Sequence, residues 1–183
     1  MKVQVIYSSL SGRTKKVAEA IYEGIKADEK SIHNLKDGEP QLDGDIILLG
    51  YWVDKGGPNE EMKALLPKIE GKAVGIFCTL GYYADSTHAA NSVARGLELV
   101  KDKNEVIGSY VCNGALSAEI LERMRAPGNT GHHSSTPANE IRWDIMKDHP
   151  TNAELALAAE RFAERVDMYR RHKEAGIDFK SIL

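Results

Sequence analysis

Cysteine is scarce in this chain, with only Cys78 and Cys112 among 183 residues. Each ends an apolar run, so both are expected as buried free thiols, and a disulfide framework is not expected. An excess of charge is missing too. The 24 Lys and Arg stand against 27 Asp and Glu for a net charge of −3. Basic residues do not cluster along the chain, which leaves nucleic acid no electrostatic footprint. No apolar stretch approaches the roughly 20 residues that span a bilayer, and Met1-Lys2 leads straight into a strand pattern rather than a signal peptide. Nucleic acid and membrane insertion are therefore not expected, and the cytoplasm is the expected compartment. No internal repeat or linker-like segment divides the chain, so 1–183 reads as one domain long enough to bury a core.

What the chain does have is alternation. Val3 to Tyr7 reads as a short β-branched strand, and from Thr14 onward Val17, Ala18, Ile21, Tyr22 and Ile25 recur at helical spacing. Lys30 to Leu35 is a weak second strand. Asp45 to Gly50 is a continuous apolar run, the mark of a parallel strand covered on both faces. A second helix is expected with Asn59 as its N-cap, followed by two glutamates that suit the positive helix end. Ala73 to Cys78 is the fourth strand; Ala89, Ala90, Val93, Leu97 and Val100 line a third helix; Glu105 to Cys112 is the fifth strand. Near the end, Thr151-Asn152-Ala153-Glu154 has the form of a capping box, with Leu155, Ala158, Ala159, Phe162, Val166 and Tyr169 as a buried stripe behind it. Strands interleaved with helices imply an α/β fold with an open parallel sheet. Between them lies a long segment, about 115–149, with a short helix expected after Ser117 and then the loop "APGNTGHHSSTPANE". Long loops in compact domains usually carry function or are disordered.

In such sheets ligands bind beyond the carboxyl ends of the strands. After the first strand comes "SSLSGRT", with hydroxyls at Ser9, Ser11 and Thr14, a flexible Gly12, and free N–H groups at a helix start. Those are the parts of an anion site, although Ser and Gly serve plain turns equally well. No G-x-x-x-x-G-K-[ST] or G-x-G-x-x-G is present, which disfavours a nucleoside triphosphate or a dinucleotide. After the third strand comes "YWVDKGGPNE", and after the fourth "TLGYYADSTH". They bring Trp52, Tyr82 and Tyr83 to the same sheet end, where a flat ring could sit between them, and Gly56, Gly57 and Gly81 permit close backbone approach.

These loops resemble those of flavodoxin-like proteins. The phosphate-loop pattern [ST]-x-[ST]-G-x-T is matched by Ser9-Leu10-Ser11-Gly12-Arg13-Thr14, and "DGDIILLGYWVDKGGPNE", "GKAVGIFCTLGYYADS" and "HPTNAELALAAERFAERV" extend the likeness over most of the chain. The resemblance implies a five-stranded parallel sheet in the order 2-1-3-4-5 with helices on both faces, and FMN as cofactor. It implies that the loop 9–14 holds the ribityl phosphate, with the Arg13 side chain peripheral. The flavin ring is expected against Trp52, Val53, Asp54 and Gly56 on one side and Thr79, Leu80, Gly81, Tyr82, Tyr83 and Asp85 on the other. Tyr83 is the favoured stacking tyrosine, and Gly56, with Gly57 as the alternative, the backbone contact to flavin N5. The fifth strand is uninterrupted, unlike the split strand of long-chain flavodoxins, and the extra length follows it instead.

Other chemistries fit less well. Ser9 or Ser11 with His33 and Asp45 could be drawn as a hydrolytic triad, but no G-x-S-x-G elbow supports it. His132, His133 and His149 suggest a metal, but no paired cysteines accompany them. A phosphoacceptor receiver would want acids after the first strand, where Ser8 and Ser9 stand, and "DSTHAAN" lacks the D-x-H-x-x-G of a cobalamin module. The resemblance leaves two functions. One is an electron carrier serving a partner reductase through an exposed flavin edge; the other is an FMN-dependent enzyme that reduces a small substrate, such as a quinone or tetrapyrrole, in a pocket closed by residues 127–143.

Overall fold

Side chains of adjacent strand residues point to opposite faces of a sheet, and that rule sorts the apolar runs of this chain into two cores. The computed structural model describes residues 1–130 and 134–180. Strands β1 (Lys2–Tyr7), β2 (Glu29–Asn34), β3 (Ile46–Asp54), β5 (Ala73–Leu80) and β6 (Glu105–Asn113) pair in parallel in the order β2-β1-β3-β5-β6. Counting the long strands alone, this is the expected 2-1-3-4-5 order. The strand not foreseen is β4 (Gly57–Pro58), which folds back antiparallel on the end of β3.

On one face Val3, Val5, Ile46, Leu48 and Phe77 meet helix α1 (Arg13–Gly24) and helix α6 (Asn152–Glu174). On the other, Ile47, Leu49, Tyr51, Val74 and Ile76 meet α2 (Glu60–Leu65) and α3 (Thr87–Glu98). Helix α6 begins at the expected capping box, with the Thr151 side chain and Glu154 exchanging bonds with each other's backbone N–H. Of its stripe, Ala158, Phe162, Val166 and Tyr169 are buried, while Leu155 and Ala159 are only partly covered. Ala90, expected on the apolar face of α3, is exposed.

Asn59 does precede α2, but its side chain makes no cap bond. Its Nδ2 donates instead to Ser8 Oγ at 2.9 Å, and that hydroxyl donates to Glu61 Oε2 at 2.5 Å. The long segment after β6 contains two helices rather than one, α4 (Ala118–Arg125) and α5 (Pro137–Met146). Its two ends meet where the Ala115 N–H donates to the His149 carbonyl at 3.0 Å. Both cysteines are free and buried, and burial pushes the Cys78 thiol up to about 12 and Cys112 further in the same direction. They are core residues, as expected. Among the described residues no helix is long and apolar enough to cross a membrane.

Candidate functional site

The turn from β1 into α1 is made by Gly12, whose φ of 82° favours glycine. Gly12 offers no side chain to cap α1, so the helix start keeps donors for a ligand. The loop hydroxyls divide into two groups. Ser9 Oγ accepts the Lys15 N–H at 3.3 Å, and Thr14 Oγ1, fully buried, bonds Thr79 Oγ1 at 3.0 Å. Those two hold the loop's shape and tie it to the end of β5. Ser11 is exposed on the wall of a cavity of about 850 Å³ that opens beyond the strand ends. Arg13 lines the same wall, and its Nε is buried without a hydrogen-bond partner. Arg13, expected to be peripheral, thus stands on the cavity wall. As the first residue of α1, Arg13 has its Cβ near Gly114, at the end of β6.

Trp52, Val53 and Asp54 at the end of β3 form a second wall. Beyond them Lys55 (φ 49°) and Gly56 (φ 79°) make the two-residue hairpin turn into β4, the arrangement that needs positive φ at both positions. Arg95 from α3 donates Nη1 to the carbonyls of Lys55 at 3.2 Å and Gly56 at 2.9 Å. The carbonyl expected to meet flavin N5 is thus held by a guanidinium. Gly57, the alternative, has ordinary φ and is fixed in the β4 pairing.

Thr79, Leu80, Gly81 and Tyr82 supply the third wall. A Cβ on Gly81 would stand 2.3 Å from Leu116 Cδ2, so glycine lets that side chain pack directly on the β5 end. Tyr82 faces the cavity with the Arg142 guanidinium 4.8 Å from its ring centroid. Tyr83 does not line it; the ring is 43% exposed and meets Tyr82 edge-on at 5.1 Å. Of the two tyrosines, Tyr82 is therefore the one on the cavity wall, not the favoured Tyr83. Asp85 is exposed and likewise off the wall.

The fourth wall was not foreseen in detail. Leu116, Ile120, Arg123 and Met124 from α4 and its approach, with Arg142 and Trp143 from α5, face the same space. The two helices are locked together by Arg125, which donates Nε and Nη2 to the Glu140 carboxylate at 2.8 and 2.6 Å, with Ser135 Oγ donating at 2.6 Å. Arg125 first, and Ser135 second, pull that carboxyl down to about 2. A signal for α5 was present: Thr136 caps it through the Asn139 N–H, and Pro137 occupies its first position. The competing sites do not assemble. His33 bonds the Gly38 carbonyl at 2.9 Å, and Asp45 accepts the Lys2 N–H at 2.7 Å at the other end of β1, so no triad forms. His149 is paired with Glu154 at 2.7 Å, and no group of metal ligands forms among the described residues. His132 and His133 lie outside the described residues.

Comparison with known proteins agrees with this geometry. Residues 4–163 match the model of the flavodoxin domain. The chain belongs to the flavodoxin domain family. The flavodoxin-like domain-containing protein BilS of Clostridioides difficile (strain CD3) is 31% identical over 166 residues, covering 87% of this chain and 93% of that one. Two solved structures share the fold. Flavodoxin 1 from Bacillus cereus has a TM-score of 0.58 at 16% identity, covering 91% of this chain and 98% of its own. The Fusobacterium nucleatum flavodoxin bound to flavin mononucleotide has a TM-score of 0.54 at 16% identity, covering 93% and 98%.

Family membership supports FMN as the cofactor, and the residues lining this cavity fit it. The orphaned Arg13 Nε and the uncapped start of α1 offer donors to a phosphate, while Trp52 and Tyr82 offer aromatic walls to a ring. Trp52→Ala and Tyr82→Ala are each expected to lose about 0.5–1.5 kcal/mol of FMN binding beyond the area lost, and to brighten the fluorescence of the flavin that remains. Tyr83→Ala should change neither. A fluorescence titration reads both quantities, and a dominant effect at Tyr83 would return the stacking role to it.

Proposed function

We propose that this flavodoxin-domain protein is a cytoplasmic FMN electron carrier that docks with and serves a partner reductase. One observation carries the reading: among the described residues, four of the six exposed large apolar side chains stand on the cavity wall or on elements that build it, while Leu157 and Ile177 lie on and after α6. Leu10, 45% exposed, lines it; Tyr83 adjoins Tyr82; Ile141 and Ile145, each 63% exposed, stand on the helix that contributes Arg142 and Trp143. Exposed apolar surface concentrated beside one site is the chemistry of a protein contact. FMN, when bound, supplies the redox chemistry itself. The chain's part is to hold the phosphate at residues 9–14, to fix the ring between Trp52 and Tyr82, and to limit water around it with the α4–α5 wall.

A second reading has its own support. Leu116, Ile120 and Met124 give the cavity an apolar wall beyond what the sheet-end loops provide, as an oxidoreductase acting directly on a quinone or tetrapyrrole would use. The two readings separate in one anaerobic experiment on the FMN-loaded protein. The carrier should oxidise NADH and NADPH only slowly unless a reductase is added. Rapid direct oxidation of either, or rapid turnover of a quinone without a protein partner, would sink the shuttle.

A further inference from the structure

Helix α5 puts two neighbouring side chains to different uses. Trp143 is buried, whereas Arg142 is half-buried on the cavity wall with its guanidinium 4.8 Å from the Tyr82 ring centroid. A ring face attracts the charge of a guanidinium but leaves its N–H donors in need of acceptors. Among the described residues Arg142 forms no ion pair, and its Nε is buried without an acceptor. The Thr136 cap and the Arg125–Glu140 bonds fix the helix that carries it. The other charged groups on the wall stand differently. Arg13 belongs to the start of α1, Arg95 is bonded to the Lys55 and Gly56 carbonyls, and Lys55, Arg95 and Arg123 are all exposed. His88, also exposed, meets Tyr82 edge-on at 6.0 Å. Asp54, at the end of β3, is the one carboxylate on the wall. The carboxylates of α4 and α5 do not offset Arg142. Glu119 and Glu122 are exposed and off the wall, Glu140 is held by Arg125 and Ser135, and Asp144 accepts from Lys147 at 2.9 Å.

Charge at a half-buried position acts through a lower effective dielectric than charge surrounded by water. Arg142 is therefore the wall cation beside the stacking tyrosine whose field is least screened. Two electrons from the donor and one proton from water turn the neutral ring of oxidised FMN into a reduced ring that bears a negative charge at neutral pH. The phosphate is common to both states. A nearby unpaired cation stabilises the reduced ring and does nothing comparable for the oxidised one. We propose that Arg142 tunes the two-electron potential of the bound cofactor upward, by keeping an unpaired positive charge against Tyr82. The inference rests on FMN binding against Tyr82 and applies to the carrier and to the direct enzyme alike. Arg142 acts through its charge and takes no proton or electron itself. A raised potential makes the cofactor a readier acceptor from its donor and a milder reductant toward whatever it serves.

The test compares affinities for the two oxidation states of FMN. Fluorescence titration of the apoprotein reads the affinity for the oxidised form. An anaerobic dithionite titration against a reference dye, at saturating FMN, reads the two-electron midpoint, and the two together give the affinity for the reduced form. Arg142→Gln should weaken reduced FMN about tenfold more than oxidised FMN, which is a fall of about 30 mV in the midpoint. Arg142→Glu should widen that ratio by about a further tenfold, because it replaces the attraction by repulsion. Arg142→Lys keeps the charge and should stay within about threefold of the parent ratio. Arg123→Gln, at an exposed position on the same wall, should change the ratio less than about threefold. Equal weakening of both oxidation states would assign Arg142 to holding Tyr82 in place and overturn the proposal. An Arg142→Lys protein that matches Arg142→Gln would remove charge as the cause and overturn it too. An apoprotein that binds no FMN would sink the cofactor site on which the inference stands, whereas bound FMN with an unchanged ratio would sink the inference alone.

Discussion

Phe162→Ala is expected to cost about 3–5 kcal/mol of folding stability, enough to consume much of a typical domain's total. Phe162 is fully buried where α6 crosses the sheet. Its ring meets Phe77 edge-on at 6.0 Å, and a Cβ placed on Gly75 would stand 2.6 Å from its Cε1. The ring thus fills a notch left by a glycine in a central strand, and truncation leaves a cavity that the rigid β5 cannot close. Strand β5 runs on to Thr79 and Leu80 in the cavity wall, so loosening it reaches the site as well. Urea unfolding of the variant should show a lower midpoint at an unchanged slope. Leu157→Ala is the control: that side chain is 45% exposed on the same helix, so its loss should cost far less. Similar losses for both would mean that α6 contributes through helix propensity rather than through this packing.

The contrast between these two leucine-sized and aromatic positions shows why much of the fold could be read in advance. Phe162 lies at helical spacing from Ala158, Val166 and Tyr169, and the β3 run Ile46 to Leu49 has no polar alternation because both of its faces are covered. Periodicity reports burial, and burial fixes the layers. The loop hydroxyls were legible as a group but not individually. Nothing local says that Thr14 turns to Thr79, 65 residues away, or that Ser9 is occupied by the Lys15 N–H while Ser11 remains on the wall. The place of Arg13 on the wall is likewise not written locally. Its surroundings include Gly114, a contact between distant parts of the chain. Tyr82 and Tyr83 are adjacent, and a half-turn of backbone decides which ring faces the ligand. The α4–α5 wall was hidden by its spacing. Apolar Ile120, Met124 and Trp143 were too few for a clear stripe, because one side of each helix faces a cavity and the other faces solvent. The Thr136-Pro137 start is the usable signal, set inside a stretch rich in turn residues.

Ser11→Ala combined with Arg13→Gln is expected to reduce FMN affinity by roughly 2–6 kcal/mol, at about 1–3 kcal/mol for each donor lost to a charged acceptor. The pair follows from the structure rather than from the motif. Ser11 is exposed on the cavity wall, and Arg13 Nε is buried beside it with no internal acceptor. A buried donor without a partner is costly, so Arg13 gains most from an anion placed at the helix start. Glutamine removes the charge and the Nε–H while keeping an amide of similar reach. Riboflavin, which has the ring and the ribityl chain but no phosphate, should bind the double variant about as well as it binds the parent. Thr14→Ala behaves differently, because Thr14 Oγ1 is bonded to Thr79 and fully buried. Its loss should disturb the join between the loop and β5, weakening FMN and riboflavin together and lowering stability as well. Raising the salt concentration should narrow the gap between parent and double variant for FMN, since part of the Arg13 contribution is charge attraction. Parallel titrations of FMN and riboflavin into the apoproteins separate the cases. Equal losses for both ligands in the Ser11→Ala, Arg13→Gln protein would mean that these residues shape the cavity rather than hold the phosphate.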